Sequence, residues 1–310
     1  WLVSTSRGGV EITYYEIVAR AISSGEGFYG TGRNNYAPIW AGVLVLGERG
    51  SEATGIPFGI LIRIFLTGID LLSAAVLWRI AVHRGSDPWK VAAVFLANPV
   101  SIWTTGFQGQ FDGLSLLFLL GAILVTFRGL GAGSGWPAVV SLSLSLAAKQ
   151  ITAFHPILWL RRVRHPAMVL VPYAAVAALF LPFLREWRGI RDSVVLYQPV
   201  PRSYGLSEFV LFDHRFAVPV MVLCVAAGLV TAWRLSREAD LVRAAVLLFL
   251  AAALVGCGVL TGVGAALRSA GLEAGQTVAS QSGCGACHKF GEAGNPGPGA
   301  DLTHIGSKLP

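Results

Sequence analysis

A membrane-spanning helix needs about twenty mostly apolar residues, and this chain supplies such runs repeatedly. Residues 56–82 form the longest. Shorter runs cover 91–105, 114–127, 168–184, 216–233 and 241–260. Charged residues make up 13% of the chain and hydrophobic ones 54%, with a mean hydropathy of +0.62, whereas soluble domains carry about 25% charged residues. Lipid offers no partner to an exposed peptide group, so such runs must close their hydrogen bonds within helices. The pattern predicts an all-α fold. A polytopic transmembrane helix bundle of about eight segments fills residues 56–262, behind an outer region, 1–55, with interfacial helices. Trp1-Leu-Val-Ser4 reads as the tail of an apolar segment, so a further helix is expected before it.

The run 136–160 is interrupted by Lys149, His155 and Pro156. It is expected to form two short or broken segments that meet near Lys149 and Gln150 at the outer surface. The alternation Ser141-Leu-Ser-Leu-Ser-Leu146 imitates a strand, but an isolated strand in lipid leaves its peptide groups unpaired, so a helix with a hydrogen-bonding serine face is expected. Arg63 and Asp70 lie in the longest run, two turns or about 10 Å apart along a helix. That is too far for a mutual bridge, and each needs another partner.

The formal net charge is +7. In a membrane chain this points to anionic lipid and to cytoplasmic loops, not to nucleic acid. One set of loop cations, Arg79, His83, Arg84, Lys90, Arg128, Arg161, Arg162, Arg164, Arg234 and Arg237, falls on alternate loops and is assigned to the cytoplasm. The opposite side then holds residues 1–55, the turn 108–112, the loop 185–215 and everything after about residue 261. The 185–215 loop is itself basic. Its arginines either pair with Glu186, Asp192, Glu208 and Asp213 or hold phosphate, since guanidinium forks match phosphate oxygens.

Cys284-Gly-Ala-Cys287-His288 has the spacing for covalent attachment of a c-type haem. The two thiols, one helical turn apart, can meet the two vinyl groups on one edge of the porphyrin, and His288 can ligate the iron from the proximal side. Zinc is the first alternative, but structural zinc takes four ligands, and the remaining cysteines, Cys224 and Cys257, lie in apolar runs. A plain disulfide or an inactive remnant is the other. The following Gly294-Asn-Pro-Gly-Pro-Gly299 and Asp301-Leu-Thr-His304-Ile-Gly-Ser-Lys308 resemble the small class I cytochromes c. Residues 263–310 are therefore expected to begin a small, incomplete α-helical cytochrome c domain with bound haem c iron and a redox partner protein. Both methionines, Met168 and Met221, precede the motif, so the sixth ligand is open. His304 is expected to hydrogen-bond near the haem edge. Leu254-Val-Gly-Cys257 has the form of a lipobox, against the plainer reading of a buried cysteine in a helix.

Over residues 1–250, four groups of residues carry a second resemblance. They are Gly9-Val-Glu11-Ile-Thr-Tyr-Tyr-Glu16 with Tyr36, Pro38 and Trp40; Arg63 with Asp70; Asn98-Pro99 with Gly109-Gln-Phe-Asp112; and Lys149-Gln150 before His155-Pro156. With Tyr204-Gly-Leu-Ser-Glu208 they resemble the GT-C superfamily of polytopic glycosyltransferases, near the bacterial mannosyltransferase-like families that use polyprenyl-phosphate sugars. The resemblance implies a bacterial inner-membrane, multi-pass protein with its site on the outer face, and the loop charges put the haem domain on that same periplasmic side. It implies Glu11, where the family more often has aspartate, as catalytic base or ligand to a divalent metal. Lys149, Arg188, Arg191 and Asp112 would bind substrate. Several of these residues also have plainer readings: Glu16 an ion pair with Arg20, Asp112 a helix cap, Lys149 a snorkelling side chain, Tyr36 and Trp40 interfacial anchors. The alternative function is a membrane-anchored cytochrome c without glycosyl transfer, and transport is a third. A single in-membrane histidine, His155, argues against a bis-histidine haem core.

Overall fold

The computed structural model describes residues 10–30, 34, 36–129, 135–191, 194 and 214–251. The chain divides into two units, residues 1–197 with 225–256 and residues 198–224 with 257–310. In the second, the described residues are 214–224, all helical. Cys257, Cys284, Cys287, His288 and His304 lie outside the described residues.

The described residues are helical, with no strand among them. Helix α1 is Val10–Ser23 and α2 Ile39–Thr54, ended by Gly55 at φ +70°. Helix α3, Phe58–His83, is 26 residues long and begins behind Pro57. Asp87 starts α4, Pro88–Leu96, by accepting hydrogen bonds from the backbone N–H groups of Trp89 and Lys90, with Pro88 in the first turn. Here the apolar run 91–105 breaks. Asn98 precedes a proline, which disfavours helical backbone, and a three-residue helix α5, Pro99–Ser101, passes into a π-helical turn, Ile102–Gln108. Gly109, at φ +76°, ends that turn in a conformation that suits glycine.

Helix α6 is Asp112–Phe127 and α7 is Trp136–Ala148, so the Ser141–Leu146 alternation is indeed helical. After α7 the chain runs through short 3₁₀ turns, Gln150–Thr152 and His155–Trp159, which is the predicted break at Lys149. A 3₁₀ turn, Pro166–Leu170, leads into α8, Val171–Leu179. Another, Leu181–Glu186, leads into α9, Trp187–Ile190. Helix α10 is His214–Leu235 and α11 is Leu241–Ala251.

By length and composition, α3 could cross a membrane, and Pro166–Leu179 with Leu181–Ile190 could form one more span bent by 49°. Asp112–Phe127, Trp136–Ala148, Val225–Leu235 and Leu241–Ala251 are apolar but shorter.

Within the first unit, α6 packs between α3 and α7, α4 lies against α3, and α1 pairs with α2. Two apolar cores result. One joins Ile12, Tyr15, Tyr29, Trp40, Phe58, Ile62, Phe111, Ala148 and Ile190. The other joins Ile80, Leu119, Leu142, Trp159, Ala232, Ala244 and Leu248. Helix α3 contributes Phe58 to the first and Ile80 to the second, about 33 Å along its axis at 1.5 Å per residue. Residues 10–54, expected as a separate outer region, share the first core with α3 and α6.

Candidate functional site

Glu11, Asp112 and Lys149, more than 130 positions apart at the extremes, converge beside the first core. Glu11 lies in the first turn of α1, and its Oε1 accepts a hydrogen bond from Gln110 Nε2 at 3.0 Å. The Gln110 Oε1 accepts from Lys149 Nζ at 3.1 Å. Lys149 Nζ also forms an ion pair with Asp112 Oδ1. The amide of Gln110 thus links the ammonium to the Glu11 carboxylate, one end accepting and the other donating.

The floor is aromatic. The Trp40 and Phe111 rings stack at 4.0 Å and 8°, Tyr36 meets Phe111 edge-on at 4.6 Å, and Tyr15 meets Trp40 edge-on at 5.3 Å. Lys149 Nζ stands 5.3 Å from the ring centroids of both Tyr36 and Phe111, within cation–π range. Tyr36, Pro38 and Trp40 are buried, and Tyr36 and Trp40 build this floor and are not exposed interfacial anchors.

The position of Lys149 follows from local structure. It ends α7 in an extended conformation, φ −158° and ψ 141°, while its N–H still reaches the Ser145 carbonyl at 3.2 Å. Its carbonyl lies 3.3 Å from Ser115 Oγ on α6. Ser115 Oγ donates to the Ser145 carbonyl at 2.8 Å, and Ser145 Oγ donates to the Ser115 carbonyl at 2.8 Å. Thr152 Oγ1 joins them at 3.0 Å from Ser145 Oγ. Small hydroxyl residues let α6 and α7 approach closely and satisfy each other, which fixes the backbone that carries Lys149.

Burial sets the electrostatics. The Glu11 carboxyl is pushed above the ordinary carboxylate range, first by loss of solvent and then by Asp112, while Lys149 and the Gln110 hydrogen bond pull it back down. The Tyr15 hydroxyl, almost wholly buried and facing Tyr36, Glu11 and Asp112, is held well above the usual tyrosine range. A carboxylate whose charge is opposed by burial takes up a proton more readily than an exposed one, which suits a base.

Asp112 makes no side-chain capping bond; it sits in the first turn of α6 and pairs with Lys149. The Lys149 side chain is only 14% exposed, so it does not snorkel to solvent. Arg188 and Arg191 are exposed at the end of the 181–191 segment, whose Ile190 is buried in the first core. Glu186, from the same segment, accepts the Tyr29 backbone N–H at 2.6 Å. Glu16 pairs with Arg20, as its helical spacing suggests. Gln110 belongs to the quoted Gly109–Asp112 motif but was not among the expected site residues; an amide announces no bridging role until both neighbours are in place.

Lys149 fills the place beside Asp112 that a cation would take, and no group of three histidine, cysteine, aspartate or glutamate side chains gathers among the described residues. No protein-family model, curated protein or solved structure matches the chain.

Proposed function

We propose that the chain is a multi-pass bacterial inner-membrane glycosyltransferase of the GT-C type, transferring a sugar from a polyprenyl-phosphate donor on the outer face. The observation that supports this most is the linked set Glu11, Gln110, Lys149 and Asp112 at the end of a helical unit, with one carboxylate whose pKa is raised and one largely buried ammonium. In this reading, the acceptor hydroxyl oxygen forms a bond to the anomeric carbon as its proton passes to the Glu11 carboxylate. The bond from the anomeric carbon to the phosphate oxygen breaks, and polyprenyl phosphate departs with its charge met by Lys149. Arg188 and Arg191 would hold the donor phosphate from the neighbouring segment, and Asp112 would orient Lys149.

The test compares the parent with Glu11→Gln, both purified in lipid, for transfer from polyprenyl-phosphate mannose. Glu11→Gln keeps the shape and removes the base, so loss of transfer in a folded variant is the expected result. Equal transfer by parent and variant would refute the reading.

The Cys284, Cys287 and His288 spacing supports a second part, an outer c-type haem module that exchanges electrons with a redox partner protein. Cys284 and Cys287 would carry the haem thioethers and His288 would ligate its iron; the bound group supplies one-electron transfer. Expression with a c-haem maturation system should give a haem-stained band on a denaturing gel, absent from the Cys284→Ala, Cys287→Ala double variant. If the stain appears but transfer never does, the chain is an anchored cytochrome.

A further inference from the structure

The segment that delivers Gln110 and Asp112 is gripped by the two charged residues of α3. Arg63 Nε donates to the Gly106 carbonyl at 3.4 Å. The Asp70 carboxylate accepts from the neighbouring Thr105 hydroxyl. Asp70 also reaches the far side of the segment, since a Cβ added to Gly113 would stand 2.9 Å from Asp70 Oδ1. Arg63 and Asp70 are about 10 Å apart along α3, yet they hold adjacent residues, 106 and 105, just before 110 and 112, and Gly113, just after them, packs closely against Asp70. On the opposite flank, a Cβ at Gly109 would fall 2.4 Å from Ile12 Cδ1, next to Glu11 in sequence. The turn is thereby seated between α3 and α1.

These holds are costly. Asp70 is 3% exposed, and Arg63 NH2, Asp70 Oδ2 and Ser73 Oγ are buried without a hydrogen-bond partner among the described residues. Apolar side chains at 63 and 70 would avoid the desolvation of two unpaired charges. A π-helical turn is rare and often marks a functional position.

We infer that Arg63 and Asp70 are positioning residues for the Glu11–Gln110–Lys149–Asp112 set, acting through the π-helical turn Ile102–Gln108 that both grip. The inference rests on the reading of that set as the working site, but its test does not use sugar transfer. The sequence has four lysines, at 90, 149, 289 and 308. Lys90 is 84% exposed and Lys149 14%, so Lys90 is an internal reference. Brief acetylation of the full chain in lipid, followed by peptide mass spectrometry, reads the ratio of Lys149 to Lys90 modification. The parent ratio should be low.

Asp70→Ala and Thr105→Val each release the same hold and should raise the ratio about threefold or more, and the double variant should exceed neither, because coupled residues are not additive. Asp70→Asn, which still offers an oxygen to Thr105, and Thr105→Ser, which restores the hydroxyl, should keep the parent ratio. Arg63→Ala should raise it independently. An unchanged ratio in Asp70→Ala and Arg63→Ala, additive effects of Asp70→Ala and Thr105→Val, or failure of Asp70→Asn to preserve the ratio would overturn the inference. Should Asp70→Ala not fold, the Thr105→Val and Thr105→Ser pair decides by the same criterion. A shifted ratio alongside no sugar transfer by the parent would retain the positioning role and discard the glycosyltransferase, and unimpaired transfer by Glu11→Gln would discard Glu11 as its base.

Discussion

The two ends of α3 each bring together charges from distant parts of the chain, and they treat them in opposite ways. At the His83 end, Arg84 grips Asp240 through two parallel bonds of 2.6 and 2.7 Å. Asp240 also accepts the backbone N–H groups of Val242 and Arg243 at 3.0 and 3.1 Å, capping α11. Every interaction favours its charge, and its carboxyl falls to about 2, chiefly through Arg84. Arg162 adds bonds to the carbonyls of Ser236 and Glu238. At the Phe58 end, the Glu11 carboxyl moves upward, because burial outweighs Lys149 and Gln110. An ion pair that satisfies both partners fastens helices together. A carboxylate that burial leaves short of partners is held ready to accept a proton.

The largest expected contrast is in turnover. Glu11→Gln should lower glycosyl transfer by about two to four orders of magnitude, the usual worth of a general base, whereas Asp240→Asn should leave it near the parent value. A transfer assay on both variants breaks the comparison if they lose activity alike. Stability should show the reverse. Asp240→Ala loses a helix cap worth about 1 kcal/mol and a partly exposed ion pair worth at most about 1 kcal/mol more. Asp240→Asn should keep the cap and lose only the pair, and Glu11→Gln should cost little. Thermal or denaturant unfolding in lipid-like detergent reads all three.

The pH dependence should separate the ends by sign. The folded Asp240 lies below its unfolded value of about 3.9, so its contribution is present above that value and disappears as pH falls toward about 2. Glu11 lies above its unfolded value of about 4.3. Its contribution is therefore complete below that pH and is lost as pH rises through the folded value. Unfolding midpoints across the acid range should lose the low-pH limb in Asp240→Asn and the opposite limb in Glu11→Gln. The smallest effect concerns Gln110, whose hydrogen bond lowers the Glu11 carboxyl. Gln110→Ala should move the rising limb of the transfer rate to higher pH by less than about one unit, the scale of a single neutral hydrogen bond. A shift to lower pH would show that the amide does not serve the carboxylate.

Much of this was legible in the chain and some was not. The helical class followed from the apolar runs, and the break at Lys149 from one cation beside a proline-containing stretch. Arg63 and Asp70 were correctly kept from pairing with each other, because helical spacing alone fixes their separation. Arg84 and Arg162 meet Asp240 and Glu238, and Glu11, Gln110 and Lys149 meet one another, contacts that the charge pattern of the loops does not specify. The run 91–105 was misread as continuous because hydropathy is blind to backbone hydrogen bonding, although Asn98-Pro99 marked the interruption. Tyr36 and Trp40 read as interfacial anchors because aromatic composition is the same at an interface and in a core. Only their contacts with Phe111, the residue before α6, distinguish them. Gln110 was invisible for a related reason: a bridge is a property of three residues whose proximity the fold creates.

Helix α7 acts as a ruler. Its thirteen residues end at Ala148, with Lys149 as the cap that follows, and the serine that docks it on α6 lies four residues before that lysine, at Ser145. One residue inserted between them would turn the chain by about 100° and lengthen it by about 1.5 Å. The docking serine would stay on its face while the ammonium swung away from Asp112 and Gln110. Substitutions along the exposed side of α7 should therefore be tolerated freely, while a single insertion or deletion between 145 and 149 should not, with no change in composition and almost none in hydropathy. What this stretch preserves is a count of residues.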